Sequence, residues 1–264
     1  MSEALNYSTY LHLTDLLRQQ EPRSASGGQP EHDELLFIII HQVYELWFKQ
    51  MLHEFDFACA LLRQNQRARA GHTLQRLRSI LKTVVGQVDI LETMTPLEFN
   101  SFRAALESGS GFQSVQFREI EFAMGYKRAN IFAHYPADTF GLERLRQRFE
   151  QPSLWDAFLA FLELRGYAVP PDQLLRDVTE PLKPSPAVQE VLIDIYRRDA
   201  AVSAICERLV DLDEGFMEWR YRHVKMVERT IGAKPGTGGS PGAAYLAATV
   251  RPFFPDLWAI RSQL

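Results

Sequence analysis

From Asp33 to Gln64 the chain runs without a glycine or a proline, as DELLFIIIHQVYELWFKQMLHEFDFACALLRQ. Nothing in that stretch breaks a helix, and its periodicity is helical, so it predicts one long helix. Glu31, Asp33 and Glu34 stand near its start, where the helix dipole favours acids. A second stripe follows, with Leu74, Leu77, Ile80, Leu81, Val84, Val85, Val88 and Leu91 at three- and four-residue steps. In TPLEFNSFRAAL, Thr95 reads as an N-cap, Pro96 as the first helical residue and Glu98 as the capping-box partner. From Pro186 to Ile231 the pattern is one long helix or two in series. Breaks fall at Glu21–Pro30, a flexible connection, at the turn Leu106–Ser114, at the stiff linker Thr179–Pro186, and at AKPGTGGSPG near the C-terminus. No segment alternates as a strand does, and no internal repeat is visible. The expected fold is all-α, a helical-bundle single domain over residues 1–264.

Composition narrows the function. The net charge is -4 and the sequence pI about 6.0, which gives no general attraction to nucleic acid or to an anionic membrane. The basic residues are scattered among acidic neighbours and read as solvated helix faces. Cys59 and Cys206 lie in apolar helical contexts and make no disulfide framework. The longest apolar run, Leu35–Ile40, is far too short to span a bilayer, and MSEALNYSTY lacks the marks of a signal peptide. A reduced, cytoplasmic protein is expected.

The chemistry gathers around WRYRHVKMVERTIGAKPGTGGSPG, which begins at Trp219. On a helical wheel Leu212, Phe216, Trp219, His223 and Met226 with Val227 share a face, while Arg220, Arg222, Lys225 and Glu228 lie mostly elsewhere. His223 is thus the polar member of an apolar stripe. It reads either as a satisfied core histidine or as a ligand to a metal or a haem iron inside a bundle, since a haem needs only one protein nitrogen on its proximal side. His41 is its counterpart on the first long helix, four residues after Phe37 and seven before Phe48. Arg103 shares a face with Phe99 and Leu106, and is either one half of a surface salt bridge or a clamp for a carboxylate. His12, His32, His53, His72 and His134 stand in polar or mixed surroundings and are assigned to the surface. GTGGSPG matches neither GxGxxG nor a Walker loop, and is better read as a mobile lid carrying Thr237.

The chain resembles the tryptophan 2,3-dioxygenases, haem enzymes that open the indole ring with O2. The likeness covers nearly the whole chain. It rests on NYSTYLHLTDLL, HDELLFIIIHQVYELWFKQMLHE, LETMTPLEFNSFRAAL running into SGFQSVQFREIE, EWRYRHVKMVERTIGAKPGTGGSPG and FFPDLW, in that order. The resemblance implies haem b between helices, one per subunit and ferrous when active, with His223 as the axial ligand. It implies that His41 bonds the indole N–H and that Phe37 and Phe99 wall the indole pocket. Arg103 would pair with the substrate carboxylate, Thr237 would contact its ammonium, and Ser110 would lie near the haem on the distal side. It further implies a homotetramer in which an N-terminal arm, residues 1–30, lends Tyr7, Tyr10 and Leu11 to a neighbouring site. Residues 232–244 would form the mobile glycine-rich loop.

Four departures from the family pattern stand out: Phe99 where some members have tyrosine, Gly109 where serine or alanine is expected, Asn6 for a common threonine, and reduced charge in AAYLAATVRPFF. The implied reaction is cleavage of the indole C2–C3 bond of L-tryptophan by O2 to give N-formylkynurenine, the first step of tryptophan catabolism by the kynurenine route. Monooxygenation of a methylated tryptophan by a related haem enzyme is the alternative, because one methyl group is worth only about 1–3 kcal/mol in an apolar pocket. A haem-binding sensor would have no need of Arg103 and Thr237. A purely structural helical protein would need no haem.

Overall fold

The structure is a computed structural model that describes residues 5–236, 246–247 and 249–264. Two short helices, α1 (Tyr7–Tyr10) and α2 (Leu13–Leu16), precede the predicted long helix, α3 (His32–Arg63). Then come α4 (Arg67–Leu91), α5 (Pro96–Phe102), α6 (Val115–Ala123), α7 (Leu142–Phe149), α8 (Leu154–Leu164) and α9 (Pro171–Leu174). The chain continues through α10 (Pro186–Arg198) and α11 (Ala200–Ile231) to α12 (Pro255–Ala259). Among the described residues there is no strand, so the all-α expectation holds.

Local chemistry explains the boundaries. The Thr95 hydroxyl accepts from the Glu98 amide and the Glu98 carboxylate accepts from the Thr95 amide at 2.7 Å, which is the capping box read from the sequence. The run from Pro186 to Ile231 is two helices. Asp199 separates them, and its carboxylate accepts from the amides of Ala201 and Val202, both at 3.0 Å, to start α11. Residues 21–30, expected to be a flexible connection, are tied down. Glu34 is buried and accepts from the amides of Arg23 and Ser24 at 2.8 and 2.9 Å, and from the Ser24 hydroxyl. Burial alone would raise the pKa of Glu34, but these bonds hold it below the usual carboxylate value. Glu34 therefore does more than satisfy a helix dipole.

The long helices pack around one core. α4 lies against both α3 and α11, while α3 also packs on α6 and α8. The buried faces include Met51, Phe55 and Leu62 of α3, Leu74 and Leu77 of α4, Phe158 and Phe161 of α8, and Leu209 and Leu212 of α11. α4 and α11 approach closely because Gly215 has no side chain: a Cβ there would stand 2.8 Å from Leu81 Cδ2. α5 touches both α3 and α11 and so closes one end of the gap between them. A smaller cluster of Val115, Phe122, Ile131, Tyr135, Leu142 and Leu145 joins α6 to α7. Beside it the buried Lys127 donates to the carbonyls of Arg148, Phe149 and Gln151 at 2.7–2.8 Å, which satisfies the open end of α7.

The C-terminal segment is clamped onto α11 by Asp213. This carboxylate is fully buried and accepts from the Phe253 amide at 2.8 Å, the Phe254 amide at 2.9 Å and the Trp258 indole at 3.0 Å. Burial still pushes its pKa up, because desolvation outweighs the three bonds. Removing the carboxylate strands three buried donors. Asp213→Ala is expected to cost about 3–5 kcal/mol, read as a lowered urea midpoint; a midpoint equal to that of the parent chain would contradict the clamp.

Candidate active site

α3 and α11 place their apolar faces on one cavity, of about 220 Å³. His41 of α3 and His223 of α11 both line it, together with Phe37, Phe99, Arg103 and Ser110. Six of the residues singled out in the sequence therefore meet in one place. Tyr7, Tyr10 and Leu11 do not line this cavity; they are exposed, Tyr7 to 76% and Tyr10 to 68%. Thr237 lies outside the described residues, as does most of the loop 232–244. The five histidines assigned to the surface, His12, His32, His53, His72 and His134, are all exposed.

His41 has a defined tautomer. Its Nδ1 stands 2.7 Å from the carbonyl of Phe37, one turn earlier. A carbonyl can only accept, so Nδ1 carries the proton and Nε2 keeps its lone pair. Burial lowers the pKa of this ring, opposed by the Phe37 bond and the nearby Glu45 carboxylate. The ring also packs on Phe37, with centroids 4.1 Å apart. Phe99 extends that wall, its centroid 5.8 Å from Phe37, and the buried Phe102 packs on Phe37 at 5.5 Å. The rings of Phe37 and Phe99, tilted 42° to one another, give the cavity an aromatic surface, which suits a fused aromatic ring.

His223 faces the same space from α11. Its ring stacks on Trp219, one turn earlier, with centroids 5.0 Å apart and planes 8° from parallel. Burial, with smaller contributions from His41 and Arg118, pushes its pKa down to about 4. The ring is therefore neutral at physiological pH, and an unprotonated imidazole nitrogen is what a metal ligand requires. Among the described residues no three His, Cys, Asp or Glu side chains converge as a metal-binding group.

Arg103 follows α5 directly and lines the cavity, donating from Nη2 to the Pro235 carbonyl at 2.7 Å. Of the two readings of this residue, the salt bridge is the one set aside: no carboxylate partner is found among the described residues. Four of its donors are left for a ligand. Ser110 begins the short turn Gly111–Gln113 and accepts from the Phe112 amide at 3.3 Å.

The basic residues were expected to form solvated faces, and here the structure corrects the reading. Arg220, placed off the apolar stripe by the helical wheel, is 3% exposed and lines the cavity. Its Nη2 donates to Glu121 at 2.9 Å. Glu121 also accepts from Arg118 and Arg128, both at 2.6 Å. Burial would raise the pKa of Glu121, but the three guanidinium groups hold it below its ordinary value. Arg118 stacks over Phe112 and Phe117, and its Nε–H has no partner among the described residues. A signal for this network was present in SVQFREIEF: a short helix with apolar residues in every direction must be buried on all sides, together with its charges.

The depressed pKa of His223 makes stability depend on pH. The unfolded chain takes up the proton near pH 6.5, whereas the folded ring resists it down to about pH 4. The stabilisation is complete above the unfolded value and is lost as the pH falls between these limits. Urea midpoints of the ligand-free protein are expected to drop from pH 7 to pH 5, and His223→Leu to drop less. Parallel curves for the two proteins would refute this.

The chain as a whole is similar to known proteins. A model of the tryptophan 2,3-dioxygenase family matches residues 1–166 and 171–264. The tryptophan 2,3-dioxygenase of Herpetosiphon aurantiacus is 64% identical over 264 residues, covering 100% of both chains. That of Anaeromyxobacter sp. (strain K) is 53% identical, covering 100% of this chain and 97% of its own. That of Caulobacter vibrioides is 41% identical over 268 residues, with full coverage of both.

Proposed function

We propose, from the premise that the chain belongs to the tryptophan 2,3-dioxygenase family, that its cavity holds a haem on His223 and L-tryptophan between His41 and Arg103. The activity is that of the family: the indole C2–C3 bond of L-tryptophan is cleaved by O2 to give N-formylkynurenine, the first step of the kynurenine route. The relatives above carry the dioxygenase name, which favours insertion of two oxygen atoms over the monooxygenase alternative. The observation that carries the site reading is the meeting of two neutral histidines, from α3 and α11, on one aromatic cavity that Arg103 also lines.

The residues fit a haem. His223 offers a lone pair, and the apolar surface around it suits a flat macrocycle. A haem also carries two carboxylates. Arg118 supplies an unpartnered, buried N–H on the cavity wall, in a cluster where three guanidinium groups face one carboxylate. The cofactor is haem b, one per subunit and ferrous in the active state. When bound, it supplies the activation of O2, chemistry that no side chain offers.

The chain's own residues bind and orient. Arg103 takes the substrate carboxylate in a charge-assisted pair, and Thr237 contacts the ammonium group. Phe37 and Phe99 hold the indole ring, while His41 accepts the indole N–H at Nε2, the nitrogen its bond to Phe37 leaves free. His41 therefore positions the indole as a neutral acceptor, with no need to act as a strong base. Ser110 adds a polar group on the distal side. Fixing both ends of the amino acid leaves indole C2–C3 oriented for attack, which lowers the entropic part of the barrier.

One chain does not complete the site in this reading. The protein is a homotetramer, and Tyr7, Tyr10 and Leu11 of the arm complete a neighbour's pocket. Their exposure, away from their own cavity, supports this. Among the described residues no helix is long and apolar enough to cross a membrane. The compartment we assign is the cytoplasm.

The decisive experiment supplies haem-loaded protein with L-tryptophan and isotopically labelled O2. The expected product is N-formylkynurenine with both labelled atoms; a product with one labelled atom would mean monooxygenation, and no absorbing haem would remove His223 from its role. Arg103→Ala is expected to weaken tryptophan binding by about 2–4 kcal/mol, the loss of a charge-assisted pair, and to spare binding of free indole. An unchanged KM for tryptophan would contradict the clamp.

A further inference from the structure

Gly236, Leu246 and Thr249 line the cavity as well. Two side chains hold Leu246 and Thr249. Arg220 Nη1 donates to the carbonyl of Thr249 at 2.7 Å and to that of Arg251 at 3.4 Å, while its Nη2 is bound to Glu121. The Thr249 hydroxyl donates to the Leu246 carbonyl at 2.6 Å. Both residues are buried, Arg220 to 3% exposure and Thr249 to 8%. A strut therefore runs from Glu121 through Arg220 and Thr249 to Leu246.

We infer that Arg220 and Thr249 are positioning residues for the substrate, setting where Leu246 and Thr249 stand against the bound amino acid. The inference rests on the assignment of this cavity to tryptophan. Two features separate it from a role in folding alone. The C-terminal segment beyond residue 251 has its own clamp, Asp213, so docking of α12 on α11 does not need Arg220. What Arg220 adds is the position of the part that lines the cavity. Its base is also rigid, since Glu121 is held at the same time by Arg118 and Arg128. The planar guanidinium reaches a carboxylate with one nitrogen and two carbonyls with the other, a span that a lysine ammonium cannot reproduce.

The test uses the haem-loaded enzyme with Thr249→Val and Arg220→Lys. Thr249→Val keeps the shape and the backbone bond from Arg220 but removes the hydroxyl that pins Leu246. We expect it to raise KM for L-tryptophan about three- to tenfold, and Arg220→Lys to raise it further, with kcat at saturation and the haem absorption spectrum close to the parent. A parent enzyme that takes no haem or does not turn over tryptophan would sink the functional reading itself. With an active parent, a normal KM in Thr249→Val overturns the positioning role. So does a fall in kcat with a shifted haem spectrum and an unmoved KM. If Arg220→Lys does not fold, Thr249→Val decides alone.

Discussion

Glu121 is a carboxylate without access to water, and three guanidinium groups surround it. It joins α6, the turn after α6, and α11, and through Arg220 it reaches Thr249, which lines the cavity. Tyr126 lies in the same cluster, with Arg128 and Arg251 against its ring at 4.3 and 4.2 Å. Desolvating such a group costs several kcal/mol, roughly what its partners return, so the network adds little net stability. Its effect is geometric. A carboxylate with three fixed partners has one arrangement, and the cavity wall inherits that arrangement.

α11 divides its work along its length. Asp213 and Arg220, seven residues apart and so on one face, both hold the C-terminal segment. Trp219 and His223 turn towards the cavity itself. The charges are spent on protein atoms, and the group offered to a ligand is neutral. The opposite helix repeats the scheme. α3 spends Glu34 on the chain before it and the His41 Nδ1 proton on its own backbone, and presents His41 Nε2 as an acceptor. Two imidazoles kept neutral by burial can face one another, whereas two imidazolium rings there would repel.

The cysteines take no part in this. Burial pushes the thiols of Cys59 and Cys206 up to about 12, which leaves them protonated and unreactive, in keeping with their apolar sequence contexts.

Much of this was legible in the chain itself. Helical periodicity, the Thr95 capping box and the unbroken run after Asp33 determined an all-α fold, because these signals act within a few residues of one another. The two histidines and Arg103 could be singled out because a polar residue on an apolar stripe is conspicuous at helical spacing. What spacing could not reveal was which charges are buried. Arg220 looked solvated on the wheel of its own helix, and Glu121 looked like one acid among many. Their partners come from other helices and from a segment 29 residues along the chain. Only the packing of α6 and of the C-terminal segment against α11 decided that these charges meet out of water. Burial is a property of neighbours, and those neighbours are distant in sequence.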